Sequence, residues 1–396
     1  MIKERVDDLI DILGEEYAKI ENTYVIRSNQ QLVKYLDNPK KWKDKQLSNR
    51  SNLKRELVIT AKQQLKALNE KAEKVFLLSY KEVDNDVIEI TENEIVAKDI
   101  PNDVKKQIKN IKEFNAKQVL KLANQSLKTY TKTVKIVDSL SKHEPLYDVV
   151  KRQMTKGVEN GIKVTYQDGK TYSWKAYMEM NIRTTMQSEL SQHQMKVGAK
   201  ANQVFVICDS FGDCAPDHAE YQGKVYYNAE CQISEEEQKY IDENNILSMQ
   251  EVVNGEPYLT SRPNCRHNFH SIPSSQVLNN GSDDYLEQEG LKFGNYKDSN
   301  YEALQKQRYN ERQIRKWKMI AENAKKIKAT TRISDFANSN KANAKVAEWQ
   351  KRQRDLINSH KDVLKRQYER ENAKVIVNHL GVRYDYKVVD GELEKK

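Results

Sequence analysis

The sequence predicts a mainly α-helical protein that contains a small central α+β module. Only 38% of its 396 residues are hydrophobic, 32% are charged, and Gly and Pro are scarce at 13 and 7. This composition favours long, water-facing helices over a β-sandwich or a doubly wound sheet. Apolar residues recur at helical spacing toward both ends of the chain, whereas the central part contains the alternation typical of strands. The length allows two or three domains with a sizeable core.

Residues 1–144 are predicted to form a helical N-terminal arm. Pro101 and Asn102 open a long helix over about 102–142. Its apolar stripe resembles the a/d seam of a coiled coil, so it should pack on a partner helix in the same chain or, by self-association, in a neighbouring copy. The predicted seam consists of Val104, Ile108, Ile111, Leu120, Ala123, Leu127, Tyr130, Val134 and Val137.

Residues 145–284 are predicted to form the α+β module. The segment 161–166 alternates as a strand does, Asp168 and Gly169 are typical of a hairpin turn, and Ser173 caps the helix that follows. Further strands are expected at 204–207 and 223–227. Ser234 opens a short helix with a capping box. The predicted apolar face of the main helix consists of Trp174, Met178, Ile182, Met186 and Leu190.

The C-terminal region, 301–378, is predicted to be helical and basic, with a flexible tail at 379–396. Residues 306–375 hold 20 Lys and Arg against 8 Asp and Glu, a net charge of +12, so with +9 overall the rest sums to −3. The excess predicts a surface for nucleic acid or for an acidic protein, and the alternative is a solvated helix face. The predicted surface comprises Arg308, Arg312, Arg315, Lys316, Lys351, Arg352, Arg354, Lys361, Lys365, Arg366 and Arg370.

Two short Cys/His motifs predict a structural zinc site. Cys214 and His218 form one pair, and Cys265 and His267 form the other about fifty residues later. Two thiolates and two imidazoles can close a tetrahedral shell and leave no position for a catalytic water. The alternative is a hydrogen-bonded cluster that contains no ion. The remaining candidates, Cys208, Cys231 and His270, are more typical of buried thiols and packed rings, although Cys208 or His270 could replace one ligand.

Two other chemistries are alternatives to a structural zinc site at these residues. A disulfide such as Cys208–Cys214 is an alternative, but a reducing cytosol favours metal. A metal-dependent nuclease of the HNH type is a second alternative, which would use Asp209, Asp213 and His270 around a hydrated ion. The sequence contains no P-loop, dinucleotide-binding glycine pattern or Gly-x-Ser-x-Gly elbow, which weighs against an enzyme. We also expect no signal peptide and no membrane span.

The stretch from Gly161 to Pro273 resembles the tailed-phage minor capsid proteins, the head-morphogenesis group that includes the Mu F-type proteins. The segments that carry the resemblance are the hairpin 164–170, the helix start 177–185, the segment 217–226 and the motif 263–267. The segment 307–315 resembles the same group more loosely. In the Mu F-type relatives the second ligand of each motif is a cysteine, where this chain has His218 and His267, and Cys214 is displaced by one residue. Zinc accepts this exchange, and the first ligand stays open between Cys208 and Cys214.

The resemblance implies a structural role in a virus particle. Such proteins associate with the portal protein and the inner face of the capsid, and they act in head assembly and in DNA packaging or delivery. The expected partners are therefore the portal or major capsid protein and packaged double-stranded DNA. The expected location is the phage head, after synthesis in the bacterial host cytoplasm. A host-encoded effector that uses the module as an adaptor is the remaining alternative, although 306–396 shows no catalytic domain.

Overall fold

The computed structural model describes residues 2–91, 102–165, 169, 171–281, 283–331, 339–371, 386–389 and 392–395. Within these ranges the chain is mainly helical and carries a few small sheets, which confirms the predicted fold class. None of the helices in the described ranges has the length and apolar character needed to cross a membrane.

The N-terminal part is a helical body built on a continuous hydrophobic core. The long helix predicted at 102–142 is confirmed as Asn102–Leu140, and it packs on the helix Arg50–Thr91 of the same chain. Its buried seam follows the prediction except at Leu120, which is 44% exposed, while Val119 is buried in its place. The helices of this body are α1 Ile2–Leu32, α2 Pro39–Ser48, α3 Arg50–Thr91, α4 Asn102–Leu140 and α5 Leu146–Asn160.

The predicted hairpin begins immediately after α5. Strands β1 Lys163–Thr165 and β2 Thr171–Ser173 pair antiparallel, and the turn residues 166–168 and 170 lie outside the described residues. Gly161 precedes β1 with φ +58, and a Cβ there would lie 2.9 Å from the Glu21 carboxylate of α1. The Glu21 side chain accepts a hydrogen bond from the Ile162 amide at 2.8 Å. The helical body therefore anchors the hairpin at a position that suits only glycine.

Helix α6, Trp174–Ala201, joins the helical body to the central sheet. Ser173 caps it by accepting a hydrogen bond from the Ala176 amide, as predicted. The predicted apolar face is buried, but its side chains from Trp174 to Leu190 belong to the same core as α1 to α5. The hydrophobic packing thus joins α5 and the first half of α6 to the helical body, whereas the sequence places the boundary near residue 145.

The central sheet has three antiparallel strands in the order β5-β3-β6. Its middle strand is buried on both faces, with Val206 in one hydrophobic cluster and Ile207 in another. A two-stranded parallel sheet lies beside it and uses β7, beyond the predicted module end at 284. The strands are β3 Phe205–Cys208, β4 Ser210–Phe211, β5 Val225–Tyr227, β6 Phe269–Ser271 and β7 Lys292–Phe293.

Four short helices connect these strands. Ser234 forms the predicted capping box with Glu237 at the start of the first of them. A second capping box, between Ser248 and Glu251, opens the next. The helices are α7 Glu235–Asn244, α8 Met249–Asn254, α9 Ser274–Asn280 and α10 Asp283–Gln288.

The C-terminal region is helical where the structure describes it. The helix α11 packs lengthwise on α12 and also contacts α1 and α5 of the helical body. Part of the predicted tail forms a two-stranded antiparallel sheet of β8 and β9. These elements are α11 Asp298–Thr331, α12 Ser339–Ser359, α13 Tyr368–Glu371, β8 Tyr386–Val389 and β9 Glu392–Lys395.

Candidate metal centre and basic surface

Three of the four predicted metal ligands meet beside the central sheet. One ligand atom each from His218, Cys265 and His267 lies within 4.8 Å of the other two, and all three side chains are buried. We call these three residues the metal centre. Cys214 is buried nearby but is not a member of this group. Three of the four predicted ligands therefore lie together, while metal binding and the part of Cys214 in it stay predictions.

Distances within the metal centre match the edges of a zinc tetrahedron. The Cys265 Sγ atom lies 3.6 Å from Nδ1 of His218 and 3.4 Å from Nδ1 of His267. Zn–S and Zn–N bonds of ordinary length at a tetrahedral angle place sulfur and nitrogen about 3.6 Å apart. The same ring atom of each histidine therefore faces the thiol at the separation that a shared zinc ion requires.

The outer nitrogen of the His267 imidazole has the kind of partner that orients a metal-binding histidine. His267 Nε2 lies 3.2 Å from Gln222 Oε1, and the Gln222 amide is itself held by the backbone of Phe211. The Nε2 atom of His218 is buried without a well-directed hydrogen bond, although the Pro257 carbonyl lies near enough to influence its titration. A carbonyl partner on the outer nitrogen orients an imidazole whose other nitrogen binds metal.

Burial sets the protonation of two of these groups. It raises the pKa of the Cys265 thiol to about 11, while backbone amides including that of Thr260, which donates to Sγ at 3.2 Å, act in the opposite direction. Burial also lowers the pKa of His218, against the Pro257 carbonyl, so its imidazole is neutral at neutral pH. Neutral imidazole is the form that binds metal, whereas the thiol needs the charge of a cation to deprotonate there.

Local backbone geometry brings the two motifs together. The segment Pro216–His218 forms a 3₁₀ turn with proline at its start. In the second motif Asn264 has φ +64, and the Cys265 amide donates to the Arg262 carbonyl at 3.0 Å. An ion pair between Asp217 and Arg262 joins the two turns independently of any metal. The backbone of the second motif therefore bends at Asn264.

The four cysteines form no disulfide bonds, so the alternative Cys208–Cys214 disulfide is not formed. Burial raises the pKa of Cys208 well above its usual value, and the neighbouring Asp209, Cys265 and Cys214 act in the same direction. Cys231 lies in another cluster, where its Sγ contacts the Gln203 carbonyl at 3.2 Å. The choice between Cys208 and Cys214 as a further ligand stays a prediction.

Two of the three residues considered for a nuclease, Asp209 and His270, have structural contacts. Asp209 is fully buried and accepts a hydrogen bond from the Asn268 amide at 3.0 Å. His270 is also buried, with its Nε2 atom 3.6 Å from Asp209 Oδ2 and its Nδ1 atom 3.9 Å from Asp86 Oδ1. A hydrolytic centre requires an open coordination position that substrate and water can reach, which this burial disfavours.

A second polar cluster, which the sequence analysis did not identify, joins the helical body to the central sheet. Near the end of α3, Asp84 contacts His193 Nε2 at 2.7 Å, and Asp86 accepts a hydrogen bond from the Ser271 amide at 2.7 Å. Gln194 bridges the same region by donating to Ser271 Oγ at 2.9 Å. These pairs are separated by 77 to 185 residues along the chain, so no local spacing could have indicated them.

Several residues of the predicted basic segment are engaged inside the fold. Arg308 pairs with Glu311 at 3.0 Å, and burial, with the charges of Arg370 and Arg266, lowers its pKa to about 9. Arg366 makes two hydrogen bonds to the Glu371 carboxylate. Arg315 donates to the Arg370 carbonyl at 2.9 Å. Of these contacts, the one from Arg315 joins α11 to α13. Lys316 and Arg370 are only partly exposed.

The other predicted basic residues are exposed and form what we call the basic surface. They lie along α11, along α12 and just beyond it. Among them, Arg352 forms an ion pair with Glu348 at 2.8 Å. Exposed ion pairs of this kind contribute little to stability, so the side chain stays available to a partner. The basic surface comprises Arg312, Lys351, Arg352, Arg354, Lys361 and Lys365.

Comparison with known proteins assigns the chain to a class of phage structural components. The chain belongs to the phage minor capsid protein 2 family, whose model matches residues 3–358. This match covers the helical body, the central sheet, α11 and nearly all of α12. It confirms the prediction of a phage minor capsid protein.

Two phage proteins illustrate the similarity. A structural protein of Lactococcus phage LL-H is 28% identical over 220 residues, which are 55% of this chain and 54% of that protein. A structural protein of Lactococcus phage mv4 is 33% identical over 117 residues, or 30% of this chain and 83% of that protein. The match therefore spans about half the length of the LL-H protein. No solved structure shows a significant match. The family and relatives are named as structural proteins, which confirms the prediction of a structural protein rather than an enzyme.

Proposed function

We propose that this protein is a component of the phage head that docks on the portal protein or on the inner face of the major capsid protein, and that it acts in head assembly and in DNA packaging or delivery. The observation that carries this proposal is the family match over residues 3–358. A long helical body and a separate basic surface suit a protein that bridges two partners, since each can be held by a different region.

Fractionation of virions tests this role. Isolated phage heads, separated from tails, are expected to retain the protein in a few copies, and chemical cross-linking followed by mass spectrometry should join it to the portal or the major capsid protein. Heads that lack the protein, or cross-links confined to tail components, would contradict the proposal. Disruption of its gene should yield heads that fail in assembly or in DNA content.

We further propose that the metal centre binds one zinc ion through Nδ1 of His218, Sγ of Cys265 and Nδ1 of His267. The sulfur–nitrogen distances of 3.6 and 3.4 Å support this assignment, as does the burial of all three side chains. The ion would join the loop after β4 to the loop before β6, and so hold the sheet together. A fourth ligand from Cys214 or Cys208 would close the shell and make the site structural.

Substitution by cobalt tests the donor set. Co²⁺ bound to one or two thiolates in a tetrahedral site is expected to give a sulfur-to-metal charge-transfer band and visible ligand-field bands. The Cys265→Ala variant should lose the charge-transfer band or shift it strongly, and Cys214→Ala should weaken it only if that thiol is a ligand. A spectrum typical of octahedral, oxygen-bound cobalt would contradict the proposal.

The basic surface is proposed to contact a polyanion, either packaged DNA or an acidic neighbour in the head. Support comes from the net charge of +12 over residues 306–375 and from the exposure of the residues that form the surface. Contacts to phosphates are sequence-independent and weaken steeply with salt. Affinity for duplex DNA should therefore fall as salt rises, and neutralisation of Lys351 and Arg354 together should reduce that salt dependence.

A further inference from the structure

An open groove between α11 and α12 carries an aromatic lining. It has a volume of about 550 Å³, and its lining includes Tyr301, Tyr309 and Trp349. We call these three residues the aromatic groove. Gln305 and Asn310 also line it and supply amide groups, which can form hydrogen bonds to a polar ring edge.

Tyr309 has the exposed ring of this groove, whereas Tyr301 and Trp349 are half-buried. Tyr309 is 48% exposed, although its ring meets Trp349 edge to face at a centroid distance of 5.6 Å. Such a pair usually lies in a core, where both rings bury most of their surface. Here the edge-to-face contact fixes the orientation of Tyr309 and leaves a ring surface open to solvent.

Cations of the basic surface flank the same rings. The Arg352 guanidinium lies 4.4 Å from the centre of the Trp349 ring, and that of Arg312 lies 5.9 Å from the centre of the Tyr309 ring. Lys306 adds a third exposed cation to the groove. Exposed aromatic rings bordered by Arg and Lys are the arrangement with which proteins bind single-stranded nucleic acid, since bases stack on the rings and phosphates meet the cations.

The chemistry of the groove separates this partner from an acidic protein surface. Binding of carboxylates requires only cations. Helix α12 also carries cations at Lys351 and Arg354, on the side of the helix away from Trp349. The exposed Tyr309 ring therefore contributes nothing to the binding of an acidic partner. An unpaired base uses the ring, the amides and the flanking charges together.

We propose that the aromatic groove binds single-stranded nucleic acid by stacking a base on Tyr309, while Lys306, Arg312 and Arg352 hold the adjoining phosphates. This inference refines the basic surface and rests on the proposal that this surface meets nucleic acid, but it needs neither the metal centre nor a location in the head.

Binding of labelled oligonucleotides to the full-length protein tests the proposal. Fluorescence anisotropy at fixed low salt compares an oligothymidylate of about 20 nucleotides with an abasic strand of equal length, a duplex of the same length and polyglutamate. Tyr309→Ala is expected to weaken oligothymidylate binding about 5- to 150-fold, the loss that removal of one stacking side chain typically causes. Tyr309→Phe should retain binding. Tyr258→Ala, which removes a ring that is 43% exposed in the loop after α8, is the matched control.

The outcomes separate this inference from the proposal on which it rests. Base stacking is overturned when Tyr309→Ala and Tyr258→Ala bind oligothymidylate equally. It is also overturned when the wild type binds abasic and oligothymidylate strands with equal affinity. Salt-sensitive duplex binding in the same assay leaves the basic surface as proposed. Tighter binding of polyglutamate than of any strand overturns it in favour of an acidic protein. A wild-type protein that binds no nucleic acid overturns this inference and also removes packaged DNA as the partner of the basic surface.

Discussion

Removal of metal from the metal centre is expected to loosen the β5-β3-β6 sheet by a calculable amount. The ion would cross-link His218 to Cys265, which are 47 residues apart. A cross-link that closes a loop of this length removes chain entropy worth about 4 kcal/mol from the open state. Chelation should therefore lower the free energy of opening of this sheet by about that value.

Amide hydrogen exchange measures this opening locally. The amides of Cys208 and Gly223 donate to carbonyls across the β3–β5 pair at 3.0 Å, so exchange there requires the sheet to open. Loss of about 4 kcal/mol corresponds to exchange roughly a thousandfold faster after chelation. Cys265→Ala should show the fast rate with or without a chelator. Cys231→Ala, which removes a half-buried thiol from another cluster, should respond to the chelator as the wild type does.

Two hydrogen-exchange results would contradict a stabilising ion at the metal centre. A wild-type protein whose Cys208 and Gly223 amides exchange at the same rate before and after complete chelation has no stabilising ion at this position. Equal chelator sensitivity in Cys265→Ala would show that any ion present is held elsewhere.

Three further predictions concern the helical body. Gly14→Ala should destabilise the protein by about 1 kcal/mol or more, because its Cβ would overlap the half-buried Glu179 carboxylate, whereas Gly157→Ala, whose Cβ would meet Asn29 Oδ1 at an ordinary contact distance of 3.9 Å, should stabilise it by about 0.5–1 kcal/mol; urea unfolding compares the two. Burial would raise the pKa of Glu179, but Lys175 and Arg315 outweigh it and lower the pKa from 4.5 to about 2. Its stabilisation is therefore present above about pH 4.5 and lost toward pH 2, and the melting-temperature gap between wild type and Glu179→Gln should shrink over that window. Tyr130→Phe should lower the free energy of unfolding by about 1–2 kcal/mol, since it removes the buried hydroxyl that donates to the Gln46 side chain at 2.6 Å; equal stability would contradict this hydrogen bond.

Features encoded by local spacing were predictable from the sequence. The helix over Asn102–Leu140, the Ser173 cap and the Ser234 capping box all follow from residues within a few positions of one another. The fold class follows from the same patterns. The Leu120 error also concerns a single position, because at about 100° per residue Val119 lies within about 20° of Ile108 around the helix, whereas Leu120 lies about 120° from it.

Features that depend on distant contacts were not predictable from these patterns. The α3 carboxylate Asp84 meets α6 across 109 residues, and Asp86 meets the central sheet across 185 residues. The packing of α5 and half of α6 into the helical body depends equally on tertiary contacts. A count of charges likewise could not show that Glu311 engages Arg308 inside the fold.

The candidate site falls between these cases. Spacing indicated the two Cys/His pairs, and the chain brings His218, Cys265 and His267 together. The position of the Cys214 thiol relative to these three residues depends on the path of the chain after β4, where the Cys214 amide donates a hydrogen bond to the Phe211 carbonyl at 3.4 Å. That path is set by the pairing of β4 with β7, a strand beyond the predicted end of the module.

Elemental analysis of the purified protein tests the metal centre most directly. Wild type and Cys231→Ser are expected to contain about one zinc ion per chain, while Cys265→Ser and His267→Ala contain almost none after the same purification. A wild-type protein without bound metal under conditions that preserve zinc sites, or an undiminished zinc content in Cys265→Ser, would contradict the assignment of His218, Cys265 and His267 as its ligands.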